Sequence, residues 1–429
     1  MKNRFLFTVI FFVSVFFANA QSEFKPIDTS SSALCRVNLA EEYKGKFTLI
    51  NKNIVSSTSA QKSIIKGIYS EIQESFFDKI NQNNFICEDN LNGYLNGLLQ
   101  EVLGKNSIKE NYRILLSKDG DANAYNTGDG TVVIHFGLFL TLENEDELVF
   151  VIAHEIGHQF LNHVKSEIES FAKLSTSEQV INKTKEIRSK KYGKATMAGD
   201  FLKNIQYQNY AKRRKKEFAA DSIAVAFYRK TLRNPKAGVT ILEKLDSSDS
   251  EKDSLTFDDY KLILNKNDFK VRKSWFEVEE SLFKKYDNEK RIIVDSLKTH
   301  PDCISRITMI RKYAGSNFTE KTTISKDFLS IKQASTYQNL INLYDQEFYG
   351  ISLYEALKLY KKDAENVVLK NIIYVNLSKI LEAKTAYIIN RYVPKVDNKK
   401  NSESLNRFIT FINNLKTSDL QLIINNFKS

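Results

Sequence analysis

Residues 148–164 read LVFVIAHEIGHQFLNHV, and inside them stands His154-Glu155-Ile156-Gly157-His158. The stretch is predicted as one helix, Leu148 to Val164. On an α-helix, residues four apart project from nearly the same face, so His154 and His158 aim both imidazoles at one metal ion. Glu155 lies about 100° round the same helix, close enough to touch a metal-bound water without ligating the metal. This is the HExxH arrangement of zinc hydrolases. The chain has only 5 His in 429 residues, and chance supplies at most roughly 0.007 such motifs even if every acidic residue is counted as Glu. A metal site is therefore the reading, ahead of a buried helix with incidental histidines.

Two imidazoles do not complete a zinc site, so a third ligand comes from elsewhere. His163 is five residues past His158, which on a continuous helix turns it about 140° away. The metzincin spacing would need Gly at 161 and His at 164, where the chain has Leu161 and Val164. The better candidate is Glu217, within Lys216-Glu217-Phe218-Ala219-Ala220-Asp221. Glu217 and Asp221 are again four apart, and the small residues Ala220 and Ala224 on the same face let this helix approach the first. Glu217 is then the third ligand, and Asp221 accepts a hydrogen bond from the free ring nitrogen of a ligating histidine.

HEIGH, then EFAAD, then Thr299-His300-Pro301 with Arg306-Ile307 resembles the zinc metallopeptidase family of HtpX-type proteases, CAAX-prenyl proteases and their soluble periplasmic relatives. Asn123-Ala124-Tyr125 followed by Gly130 to Ile134 looks like that family's substrate-binding edge strand, with Asn123 and Ala124 as substrate-pairing positions. Asn234-Pro235-Lys236-Ala237 with Leu242 and Leu245 resembles its next helical segment. The resemblance covers roughly residues 60 to 312 and implies an α+β, predominantly α-helical fold: a zincin-like metalloprotease domain with a small β-sheet. Two stretches depart from the family's pattern: the run from His158 to Glu217 and the region about 246 to 295, both read as insertions. His300 is assigned to the catalytic centre, as donor to the oxyanion or as a fourth zinc ligand that displaces water; a hydrogen-bonded structural histidine is the other reading. Arg306 is placed behind the ligands, at the start of the next helix.

Met1 to Ala20 has Lys2 and Arg4, an apolar run from Phe5 to Phe17, and Ala18-Asn19-Ala20, which describes a secretory signal peptide. No later stretch approaches the roughly 20 apolar residues of a membrane helix. An exported chain is expected, periplasmic or secreted, peripheral to a membrane at most. The formal charge is +11, but the positive residues read as scattered and no nucleic-acid partner is expected. Lys212 to Lys216 is the dense run, either a solvated helix face or a basic rim for acidic substrates or anionic lipid. Of three cysteines, Cys35 and Cys87 are candidates to pair after export, and Cys303 reads as a buried thiol.

With 15 Gly and 4 Pro, the chain favours long helices. Lys62 to Asn81 and Asn90 to Leu103 have helical periodicity, as do 165–216 and 250–298. Tyr112 to Leu116 and Thr131 to Phe136 read as a small hairpin or meander around the turn 126–130. The expected organisation is a signal peptide (1–20), an N-terminal segment (21–60), the metallopeptidase domain (61–315) and a helical C-terminal region (316–429), either a degenerate repeat or a plain extension.

Together these readings describe an exported zinc-dependent endopeptidase with one zinc per chain. Its substrates are polypeptides, read as unfolded or misassembled envelope proteins. The C-terminal helices are offered to envelope proteins or assembly machinery. The alternative keeps the fold as a chaperone-like binding module, against which the intact Glu155 argues.

Overall fold

The computed structural model describes residues 33–190, 192–247, 251, 253–267, 269–277, 303–314 and 322–428. The expected signal peptide and His300 lie outside the described residues. The described residues open with three helices, α1 (Ala33–Lys52), α2 (Ser59–Asn81) and α3 (Asp89–Lys105). A small sheet follows, of β1 (Arg113–Ser117), β2 (Ala124–Asn126) and β3 (Thr131–His135). The short α4 (Leu138–Thr141) leads into α5 (Glu145–Phe160), α6 (His163–Ser175), α7 (Glu178–Ser189), α8 (Lys194–Arg229) and α9 (Ala237–Asp246). Then come α10 (Phe257–Leu264), α11 (Cys303–Ala314), α12 (Lys326–Asp345), α13 (Tyr349–Tyr360), α14 (Val367–Thr385), α15 (Glu403–Asn414) and α16 (Thr417–Phe427). The predominantly helical α+β class is as expected. Among the described residues no helix is long and apolar enough to cross a membrane.

The strands lie in the order β1-β3-β2. Rather than the expected strands 112–116 and 131–136, β2 and β3 form the hairpin, with Ala124 opposite Ile134. The turn between them needs its glycines: Gly128 and Gly130 have φ of 85° and 89°, and a Cβ on Gly130 would sit 2.5 Å from the Asn111 carbonyl oxygen. The pairing of β1 corrects the simple meander, because β1 runs parallel to β3, Arg113 opposite Thr131. This leaves β2 as an edge strand. Successive side chains alternate between sheet faces, so Ile114, Leu116, Val132 and Ile134 enter the main core. Leu115 and Val133 face Tyr43, Phe47 and Phe76 of the first two helices. The apolar run TVVIH is thus buried on both sides, and the Tyr43 hydroxyl reaches Thr131 Oγ1 at 2.6 Å beneath it. Cys35 and Cys87 form a disulfide that ties α1 to the segment before α3. Cys303 is buried and takes no part in that disulfide.

The expected single helix from 148 to 164 is two. Asn162 adopts left-handed φ and ψ of 54° and 39° between α5 and α6. Asn tolerates that conformation better than most side chains. α5 itself begins in an unexpected place. Asn144 caps it by accepting the Glu147 backbone N–H, and Glu145, Asp146 and Glu147 are all buried. Their negative charge suits a helix N-terminus, and cations meet it: Arg233 lies 2.9 Å from Glu145 and 3.1 Å from Asp146, while Lys244 lies 2.5 Å from Glu147. Ser325 and Tyr94 both donate to Glu145.

Two large cores result, and they do not divide where the family-like motifs stop. The first joins α3, the sheet, α5, α8, α9 and α11 with Phe328 and Ile331 of α12. The second joins α13 to α16 with Leu255, Tyr260, Phe269 and Trp275, which precede residue 315.

Candidate metal centre

The close approach of α5 and α8 builds the site. Gly157 makes it feasible: a Cβ there would lie 2.9 Å from the Ala220 carbonyl oxygen. Ala220 and Ala224 are fully buried in the same contact. On the α5 side of this seam the Nε2 atoms of His154 and His158 stand 3.0 Å apart. The Glu217 carboxylate is 3.5 Å from each. Zinc held at about 2.0–2.2 Å by two imidazoles and a carboxylate in tetrahedral geometry places donor atoms about 3.3 Å apart. The three donors therefore fit zinc in kind and spacing, and among the described residues they are the one His/Cys/Asp/Glu group so arranged.

Behind the donors lies a charged layer. Asp221, with no exposure, sits 2.9 Å from His154 Nδ1, as an electrostatic contact rather than an aligned hydrogen bond. Arg306 of α11 donates to both Asp221 oxygens, at 2.7 and 2.8 Å. Its remaining nitrogen lies 3.2 Å from Glu217. One guanidinium thus contacts both carboxylates, Glu217 and Asp221. Losing one partner of such a buried pair costs about 3–5 kcal/mol.

These neighbours set the protonation states. Burial alone would pull His154 down, but Asp221 and Glu217 outweigh it and hold His154 up at about 10. Burial and the neighbouring His154 charge depress His158 to about 3, leaving it neutral. Asp221 is raised by burial but carried down to about 2 by Arg306 and His154. Burial pushes Glu155 up to about 7, opposed by His154 and reinforced by Glu217. A carboxyl near neutrality is poised to exchange protons at ordinary pH.

Glu155 points from α5 toward β2, where the Asn126 backbone hydrogen-bonds it. Asn123 and Ala124 line two cavities. One, of about 30 Å³, is walled by Phe150, Val151, Ile241 and Leu245 and reaches Glu155 and Arg306. The other, of about 260 Å³, is more open and includes Glu155, His158 and Glu217. Nearly all the expected site residues are therefore brought together: His154, Glu155, His158, Glu217, Arg306, Asn123 and Ala124 line the two cavities, and Asp221 lies behind His154.

Helical periodicity misplaced one residue. His163 begins α6, and its Nδ1 lies 2.9 Å from Nδ1 of His158. The turn at Asn162 carries it back, so the angle for a continuous helix does not apply. The signal was available, since Asn is a common left-handed residue just past a helix end. His163 is outside the donor group, as is His135, whose Nδ1 pairs with Asp121 at 2.7 Å.

Known proteins resemble part of the chain. The beta-barrel assembly-enhancing protease of Escherichia coli is 29% identical over 159 residues, 36% of this chain and 32% of that one. The beta-barrel assembly-enhancing protease of Yersinia pestis is 33% identical over 86 residues, 20% of this chain and 18% of that one. Metalloprotease YcaL of Escherichia coli is 25% identical over 164 residues, 38% of this chain and 62% of that one. Each match spans less than two thirds of the relative. The pattern of peptidase family M48 matches residues 90–314, just over half of the 429 residues. This span runs from α3 through α11, and so holds every described donor and supporting residue of the metal centre: the chain belongs to peptidase family M48.

Proposed function

We propose that the protein is an exported zinc-dependent endopeptidase that cleaves unfolded or misassembled envelope proteins. The observation that carries this reading is Glu155, a buried carboxyl held near neutrality between the three metal donors and an edge strand. His154, His158 and Glu217 would hold the zinc. When bound, zinc supplies Lewis acidity toward a carbonyl and lowers the pKa of water. Glu155 takes the proton of the attacking water and returns it to the leaving amine. Asp221 and Arg306 keep His154 and Glu217 oriented. An extended polypeptide adds to β2 at Asn123 and Ala124 through its main chain, and that mode of recognition suits unfolded chains of varied sequence. Export rests on the basic, apolar and A-x-A segments of Met1 to Ala20. The envelope substrates and assembly partners rest on the relatives named for beta-barrel assembly.

Zinc content and casein cleavage by the purified chain test this reading. Glu155→Gln is expected to retain about one zinc and lose cleavage, since it removes a base and no ligand. His154→Ala, His158→Ala and Glu217→Ala are expected to lose the zinc. Cleavage by Glu155→Gln at the wild-type rate would discard the mechanism.

A further inference from the structure

We propose that α6, α7 and the first half of α8 form a docking surface for an anionic lipid membrane. Residues 163–216 contain 14 Lys and Arg against 5 Asp and Glu, a net +9 of the chain's +11. The positive charge is therefore not scattered, as the sequence suggested; it is gathered on one helical excursion, and the rest of the chain is close to neutral. Lys173, Lys185, Arg188, Lys190, Arg213 and Lys215 are exposed there. Two pairs fasten the excursion together, Arg213 and Lys216 to Glu167 at 3.3 and 3.6 Å.

Apolar side chains stand among these cations. The inward face of α6 is occupied, with Ile168 and Ala172 packed on Ile54 and Ile65. Phe171 nevertheless remains 52% exposed, and α7 buries none of its residues. Ile181 and Tyr192 are 42% and 79% exposed. Cations interspersed with aromatic and aliphatic side chains match a lipid surface, where ammonium groups meet phosphates and rings enter the acyl boundary. The attraction to anionic headgroups grows with each Lys or Arg near the surface. Both ends of the excursion abut the metal cleft: His163 touches His158, and Lys216 precedes Glu217. Docking would thus hold the cleft beside the membrane, where envelope polypeptides arrive.

The full mature chain is tested by flotation with vesicles of phosphatidylcholine alone or with about 30% phosphatidylglycerol. Binding to the mixed vesicles is expected to be at least about tenfold tighter, and to weaken about tenfold as salt shortens the Debye length from about 10 Å toward 4 Å. The triple variant Lys212→Glu, Arg214→Glu, Lys215→Glu and the double variant Phe171→Ser, Ile181→Ser are each expected to lose at least about fivefold in affinity. Both should keep wild-type melting and casein cleavage in solution, which separates this surface from the cleft. Equal binding to neutral vesicles, or wild-type binding by the charge-reversed variant, would overturn the proposal. Wild-type vesicle binding by the Phe171/Ile181 variant, with displacement by polyglutamate, would reassign the surface to acidic proteins.

Discussion

In the proposed zinc site, His154 would meet the metal as an imidazolium. Its charged form is stabilised by Asp221 and Glu217, so its pKa is raised to about 10. That proton is bound throughout the physiological range and must leave before Nε2 can ligate. Zinc uptake near pH 7.5 is accordingly expected to release about one proton, with a smaller share from Glu155. Apparent affinity should rise about tenfold per pH unit from about pH 6 to 8. Calorimetry in buffers of different ionisation enthalpy measures the release; pH-independent affinity would refute the assignment. A second expectation concerns His163. With Nε2 of His158 given to the metal, Nδ1 of His158 carries the proton and donates it to His163. His163→Ala should therefore weaken zinc about 10–100-fold in a chelator competition while the fold persists. Unchanged affinity would make the contact incidental.

At the scale of elements, the spacing of α5 and α8 decides whether three donors meet. Gly157→Ala places a methyl 2.9 Å from the Ala220 carbonyl, a backbone neighbour that cannot rotate aside. The variant should lose about 1–3 kcal/mol of stability, and it should weaken zinc as well, because Glu217 rides on the displaced helix. Melting with and without zinc checks both; a variant with wild-type melting and affinity would show that the seam gives way cheaply. The same helices show what was legible. Four-residue spacing marked His154 with His158 and Glu217 with Asp221, and the alanines marked the contact face. Periodicity alone does not show the helix break at Asn162, so it turns His163 the wrong way.

At the scale of the molecule, the Cys35–Cys87 disulfide closes a sequence separation of 52 residues. In the chain-entropy account this is worth about 4 kcal/mol. Cys35→Ser with Cys87→Ser should lower the melting temperature but keep zinc, because α1 and α2 cover the sheet face opposite α5. Equal loss of zinc and stability would place α1 in the support of the site. The sequence alone determined the HExxH pair, the acidic partner, the edge strand, the helical class and the family resemblance. The HExxH pair and its acidic partner rest on spacing within a few residues, where helix geometry leaves little freedom; the helical class rests on the scarcity of Gly and Pro, and the edge strand came with the resemblance, whose motifs run from about residue 60 to 312. Tertiary structure decided the rest: β1 parallel to β3, Arg306 clasping Asp221, His163 returning to His158, and Glu145 to Glu147 buried against Arg233 and Lys244. Two cores also cross the expected boundary near 315, with Tyr260 and Trp275 in one and Phe328 in the other. These contacts join residues far apart in sequence, where local periodicity carries no information and burial selects which partners meet.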